Sequence, residues 1–125
     1  MSDPALSVLI PFYNEEGNVL PLLEEVHEAL GGIAFEIVCV NDCSADQTAA
    51  ELAEAKQKWP ETVHVFTHIT RAGKSAALFT GLKSVRGTWT QLIDGDGQND
   101  INDTARLWKK LIEGQDTGKL GIIAG

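Results

Sequence analysis

Apolar residues recur along this chain in two rhythms. Short, nearly unbroken runs give way to segments in which they return every three or four positions, and the two alternate throughout, which is the mark of βα units on a largely parallel sheet. Leu6 to Pro11 reads as a first strand, and Val19, Leu22, Leu23, Val26 and Leu30 then trace one face of a helix that Gly31-Gly32 stops. Phe35 to Val40 is a second strand, apolar from Ile37 onward, and Ser44-Ala45-Asp46-Gln47 fits a capping box that opens an Ala-rich helix ending before Pro60. Val63 to Thr67 makes a third strand, and a polar turn through Arg71 and Gly73 leads to a short helix over Ala76 to Val85, closed by Gly87. Trp89 to Ile93 is a fourth strand, followed by the acidic turn Asp94 to Asp100. Ile101, Leu107, Trp108, Leu111 and Ile112 then mark an amphipathic helix, and Leu120 to Ala124 begins a fifth strand.

The pattern predicts a three-layer α/β sandwich with the first strand central and the second and fourth beside it, an order that brings Asp42 and Asp94 to one crevice. With 125 residues, the chain suits one domain spanning residues 1–125. Its last strand has no successor to cover it, so a truncated domain is expected, with unpaired backbone and apolar surface that favour self-association.

Charge removes several classes of function. Ten basic against 18 acidic residues give a formal net charge of −8, which repels polyanions and argues against nucleic acid as a partner. The apolar runs are far too short to cross a bilayer, and the N-terminus lacks a basic region before an apolar one, so a cytoplasmic location is expected. Cys39 and Cys43, four apart and without histidine partners at ligand spacing, read as reduced thiols in structural packing.

In an open α/β sheet, ligands sit outside the carboxyl ends of the strands. Here the first strand runs out into Pro11-Phe12-Tyr13-Asn14-Glu15, the second into Asn41-Asp42-Cys43-Ser44-Ala45-Asp46, and the fourth into Asp94-Gly95-Asp96-Gly97-Gln98. Carboxylates gather on one edge. Asp94 and Asp96 are two apart, so an extended segment points both the same way, and with Gln98 they form a hard oxygen set suited to Mg²⁺ or Mn²⁺ and a diphosphate. The other reading is a solvated acidic turn that caps the following helix. Asp42 fits either a nucleobase or ribose contact or a helix-capping network, with binding favoured there and capping favoured for Ser44 and Asp46. Arg71 and Lys74 either meet a nucleotide's charge or are solvated loop residues, and Trp59, Trp89 and Trp108 suit core packing better than sugar stacking.

These strings in this order, Ile10 to Glu16, Val40 to Thr48, Gly73-Lys74 and Asp94 to Asp100, resemble the family 2 glycosyltransferases, and within them the polyprenyl-phosphate sugar transferases. The resemblance implies a GT-A (nucleotide-diphospho-sugar transferase) fold and a donor that is a GDP- or UDP-linked sugar. It implies that Pro11, Tyr13 and Glu15 cradle the nucleoside, that Val40 and Asp42 contact the base, and that Asp94, Gly95 and Asp96 hold the diphosphate. Asp94 and Asp96 would be catalytic and, with Gln98, would hold the metal. A lipid phosphate would be the acceptor, which places a longer parent protein at the inner face of the membrane. The acceptor-binding part is absent, so the chain alone is expected to lack transfer activity. Asn41 and Cys43 stand where the family usually shows Asp and Gly, and Ile101 where it shows Pro; the first pair bears on base preference, the last on how a helix begins.

Two rivals fit less well. A receiver-like domain needs an Asp after the third strand, where His68 and Thr70 stand instead. A nucleotidyltransferase generally opens with a Gly-rich basic loop after its first strand, whereas Pro11 to Glu16 is acidic and has no glycine. A nucleotide-binding module without activity remains as a third reading.

Overall fold

The computed structural model describes residues 3–96, 100–114 and 121–124. Its elements follow the predicted alternation: β1 (Leu6–Phe12), α1 (Val19–Ala29), β2 (Phe35–Asn41), α2 (Thr48–Lys58), β3 (Val63–Thr67), α3 (Lys74–Leu82), β4 (Trp89–Leu92), α4 (Ile101–Gly114) and β5 (Gly121–Ala124). All neighbouring strands pair in parallel in the order β3-β2-β1-β4-β5, so β1 is central with β2 and β4 beside it, as the sequence predicts.

Alternate residues of the central strands feed two cores. Leu6, Val8, Ile10 and Phe12 of β1, with Ile37 and Cys39 of β2, pack beneath α1, α2 and α4 through Leu22, Leu23, Val26, Leu52, Ala55, Ala105 and Trp108. Leu9, Val38 and Val40 face the other way, toward Ala77 of α3. Helices on both faces make the three layers. No helix among the described residues is long and apolar enough to cross a membrane.

The tryptophans serve packing. Trp108 is fully buried and its Nε1–H donates to Gln91 Oε1 at 2.8 Å, Trp89 tilts against it, and Trp59 stacks on the His27 ring. Cys39 is buried in the core, where desolvation pushes its thiol far up, and Cys43 is also a free thiol. The expected capping box does not form. Ser44 Oγ instead accepts the N–H of Asn14 and donates to Asn41 Oδ1, while Asp46 takes the N–H of Thr48 and that of Glu16. Ser44 is drawn instead to the neighbouring strand ends, and Asp46 divides its carboxylate between the first N–H of α2 and the β1–α1 loop. The α3 helix starts two residues earlier than predicted, at Lys74, because Gly73 takes a φ of 97° and turns the chain there.

A buried polar cluster ties the strands' amino ends. Glu36, 2% exposed, accepts from Ser7 Oγ at 2.6 Å, from the Arg86 N–H at 2.7 Å and from Arg86 Nε at 3.3 Å. Gly87 donates its N–H to Ser7 Oγ, and a Cβ at Gly87 would lie 2.6 Å from the Ser7 nitrogen. Backbone cannot yield as a flexible side chain does, so Gly87→Ala should lower the unfolding free energy by about 1–3 kcal/mol in urea titration. An unchanged midpoint would contradict this account of the close approach.

Candidate functional site

The parallel order β2-β1-β4 sets three strand ends side by side, and their run-outs surround an open cleft of about 260 Å³. Pro11, Phe12, Tyr13 and Glu15 come from β1 and its loop, Asp42 from the end of β2, Asp94, Gly95 and Asp96 from beyond β4, and Arg71, Lys74 and Ala77 from the β3–α3 loop and α3. Nine of the residues singled out in the sequence therefore converge on one cleft: Pro11, Tyr13, Glu15, Asp42, Arg71, Lys74, Asp94, Gly95 and Asp96. Val40 does not line it; its side chain is fully buried beneath α3 with Leu9, Val38 and Ala77. Gln98 lies outside the described residues.

The first wall is held by side chains. Glu15 N–H donates to Thr48 Oγ1, Glu16 N–H to Asp46 Oδ2, and Gly17 N–H to Glu51 Oε2, while Asn14 Oδ1 accepts the Ala45 N–H. Successive N–H groups of the β1–α1 loop are thus satisfied from the β2–α2 region. The Thr48 hydroxyl, ahead of the N–H groups of Thr48 and Glu16, holds the Asp46 carboxyl below its ordinary value against some desolvation. Asn14 and Cys43 adopt φ of 52° and 59°. Asparagine tolerates that left-handed conformation, and at Cys43 it gives a physical reason for glycine in the resembling family.

Asp42 is the buried acid of the site, 2% exposed. Its Oδ1 accepts the Ala72 N–H at 2.8 Å and His68 Nδ1–H at 2.8 Å, and its Oδ2 accepts the Gly73 N–H at 2.8 Å. His68 Nε2 lies 2.8 Å from Thr80 Oγ1 on α3. Burial by itself would raise the Asp42 carboxyl, but the Ala72 N–H, the His68 ring and the Gly73 N–H outweigh it and hold the group below its usual range. His68 was missed from the sequence, because a single histidine 26 residues from Asp42 carries no spacing signal.

That anchored loop carries the cations. Arg71 lays its guanidinium 4.0 Å from the centroid of the Tyr13 ring, and Lys74 Nζ donates to Asp94 Oδ1 at 2.6 Å. Gly95 closes the other side. A Cβ there would lie 2.7 Å from the Pro11 carbonyl oxygen and 2.8 Å from the Phe12 ring, so only glycine lets the β4 run-out lie against the end of β1. Among the described residues no group of three or more His, Cys, Asp or Glu side chains is assembled to hold a metal. Asp94 and Asp96 nevertheless fit one, since Mg²⁺-type sites commonly use one or two carboxylates completed by substrate phosphates and water, and Asp94 already draws an ammonium.

The sequence profile described as Glycosyl transferase family 2 matches residues 7–124. Dolichol-phosphate mannosyltransferase of Pyrococcus furiosus is 33% identical over 111 residues, which is 89% of this chain and 31% of that protein. Undecaprenyl-phosphate 4-deoxy-4-formamido-L-arabinose transferase of Pseudomonas aeruginosa is 34% identical over 113 residues, 89% of this chain and 33% of that one. The chain thus spans about a third of the length of these relatives. Among solved structures, TarS of S. aureus in complex with UDP-GlcNAc superposes with a TM-score of 0.69 at 26% identity, over 87% of this chain and 31% of that one. Mannosyltransferase PcManGT of Pyrobaculum calidifontis, solved with GDP-Man and Mn²⁺, gives 0.74 at 24% identity, over 88% and 33%. The architecture is the GT-A fold.

The lowered Asp42 carboxyl has a consequence for stability. A depressed acid stabilises the fold at pH values above its unfolded pKa, about 3.9, and that contribution is lost as pH falls through the folded value. Asp42→Asn, which turns an acceptor into an amide facing N–H groups, should cost about 1–3 kcal/mol at pH 7, and the gap from wild type should close below about pH 4. Chemical denaturation of both proteins across pH checks this; a gap constant with pH would refute it.

Proposed function

Because the chain belongs to glycosyl transferase family 2, we propose that its cleft binds the nucleoside diphosphate of a sugar donor, with a divalent cation at Asp94 and Asp96, and that the whole protein transfers the sugar to a polyprenyl phosphate. The observation that supports this reading is the convergence of Tyr13, Asp42, Arg71, Lys74, Asp94 and Asp96 on one cleft at the carboxyl ends of β1, β2 and β4. Two relatives named for dolichol-phosphate and undecaprenyl-phosphate support the acceptor class.

In this reading Pro11, Tyr13 and Glu15 cradle the nucleoside, Asp42 meets the base, and Asp94, Gly95 and Asp96 meet the diphosphate, while Val40 backs the site from the core. Gln98 is the proposed third metal ligand. The bound ion, Mg²⁺ or Mn²⁺, supplies positive charge against the diphosphate that leaves. Lys74 and Arg71 offer further positive charge in the same cleft. Transfer forms a bond from an acceptor phosphate oxygen to the anomeric carbon as the bond from that carbon to the diphosphate breaks, and the electron pair departs with the nucleotide. A phosphate acceptor already carries the attacking oxyanion near neutral pH, so this chain need supply no general base. We assign donor binding to this chain. Transfer belongs to the whole protein, working on a lipid acceptor at the inner face of the membrane, because a second reactant must also be held in line.

Calorimetry with UDP and GDP, each with and without Mn²⁺, tests the reading. Asp96→Ala should weaken the better-bound nucleotide by about tenfold or more in Mn²⁺, as expected for one charged contact, and change binding little without metal. An equal loss in both conditions would mean that Asp96 is not a ligand.

A further inference from the structure

The hydrogen bonds already made by Asp42 restrict which base it can read. A carboxylate offers about four acceptor positions, two on each oxygen. Among the described residues, Oδ1 is filled by the Ala72 N–H and His68 Nδ1–H, and Oδ2 takes only the Gly73 N–H. One position, on Oδ2, is left for a ligand, and Asp42 lines the cleft. The edge of guanine presents two neighbouring donors, N1–H and N2–H, which match both oxygens of a free carboxylate at once. Uracil presents a single N3–H between two carbonyl oxygens. Arg71, a donor with no acceptor capacity, lines the same cleft above Tyr13 and suits those carbonyls.

We propose that the cleft takes uridine diphosphate sugars in preference to guanosine ones, and that His68 is a positioning residue for this choice because its ring N–H fills the acceptor position that guanine's second donor would need. The inference rests on the cleft being the nucleotide site, as proposed above, and narrows the donor to one base. A guanine placed there would leave one buried N–H unpaired, a loss that polar sites turn into strong discrimination.

The test uses the whole 125-residue chain, Mn²⁺, UDP, GDP and inorganic pyrophosphate in titration calorimetry. Wild type should bind UDP about tenfold or more tighter than GDP, the worth of one unpaired donor. His68→Leu opens Oδ1 and should shrink that ratio severalfold, while pyrophosphate affinity, read alongside, reports any shift of the Arg71–Lys74 loop, which would affect both nucleotides alike and leave their ratio intact. His68→Asn keeps an amide N–H at the Nδ1 position and should restore the ratio. A purely structural histidine would weaken UDP and GDP alike and leave their ratio intact, which would overturn the role of His68. GDP bound as tightly as UDP by wild type, for example through recruitment of Glu15, would overturn the base preference while leaving the nucleotide site standing. Failure of pyrophosphate and both nucleotides to bind would overturn the site and the preference together. Because the wild-type comparison stands alone, a variant that fails to fold does not rescue the proposal.

Discussion

A carboxylate removed from water is costly unless hydrogen-bond donors surround it. At the end of β2 that demand is met by Asp42 drawing in the N–H groups of Ala72 and Gly73 and the ring of His68, all from the segment that links β3 to α3. The acid therefore fixes where that segment lies. It sets Gly73 as the point from which α3 starts, brings Arg71 over Tyr13, and leaves Lys74 within reach of Asp94. In a chain of net charge −8, local placement of cations decides whether an anion can be held, and one buried acid arranges both of the cations in the cleft.

The opposite wall follows the same logic with neutral chemistry. The β1–α1 loop turns through Asn14 at a positive φ, and the N–H groups of Asn14, Glu15, Glu16 and Gly17 donate to Ser44, Thr48, Asp46 and Glu51. Those four side chains stand on the loop and first turns after β2, so the two walls are held by residues that β2 delivers. The sheet order matters for this reason: with β2 and β4 on either side of β1, the acid that arranges the loop and the acids proposed to hold the metal share one cleft. Glycine at position 95 permits the last approach.

What could be read from the sequence is what depends on neighbours along the chain. The strands announce themselves through runs such as Ile37 to Val40, the first helix through Val19, Leu22, Leu23 and Val26, and the acidic edge through residues that follow a strand within a few positions. The unread part depends on partners chosen across the sheet. His68 and Asp42 are 26 apart, Glu36 and Arg86 are 50 apart, and Ser7 and Gly87 are 80 apart, so each pairing exists only once the strand order is fixed. The capping box failed for a related reason. Ser44 carries the right chemistry for a helix start but pairs with Asn14 and Asn41 in the folded chain, whereas Asp46 does take the Thr48 N–H at the start of α2 and shares its other oxygen with Glu16. Val40, named as a base contact through resemblance, sits with its side chain in the core.

Asp42, Asp94 and Asp96 are proposed together to form one site for a nucleoside diphosphate and its metal ion. A crystal structure of this chain grown with UDP and Mn²⁺, with manganese located by its anomalous scattering, tests it most directly. The ion should be coordinated by Asp94 or Asp96 and by the diphosphate, with the base against Asp42 and the Tyr13–Arg71 stack. Manganese bound away from both aspartates, or a nucleotide bound with its base outside this cleft, would contradict it.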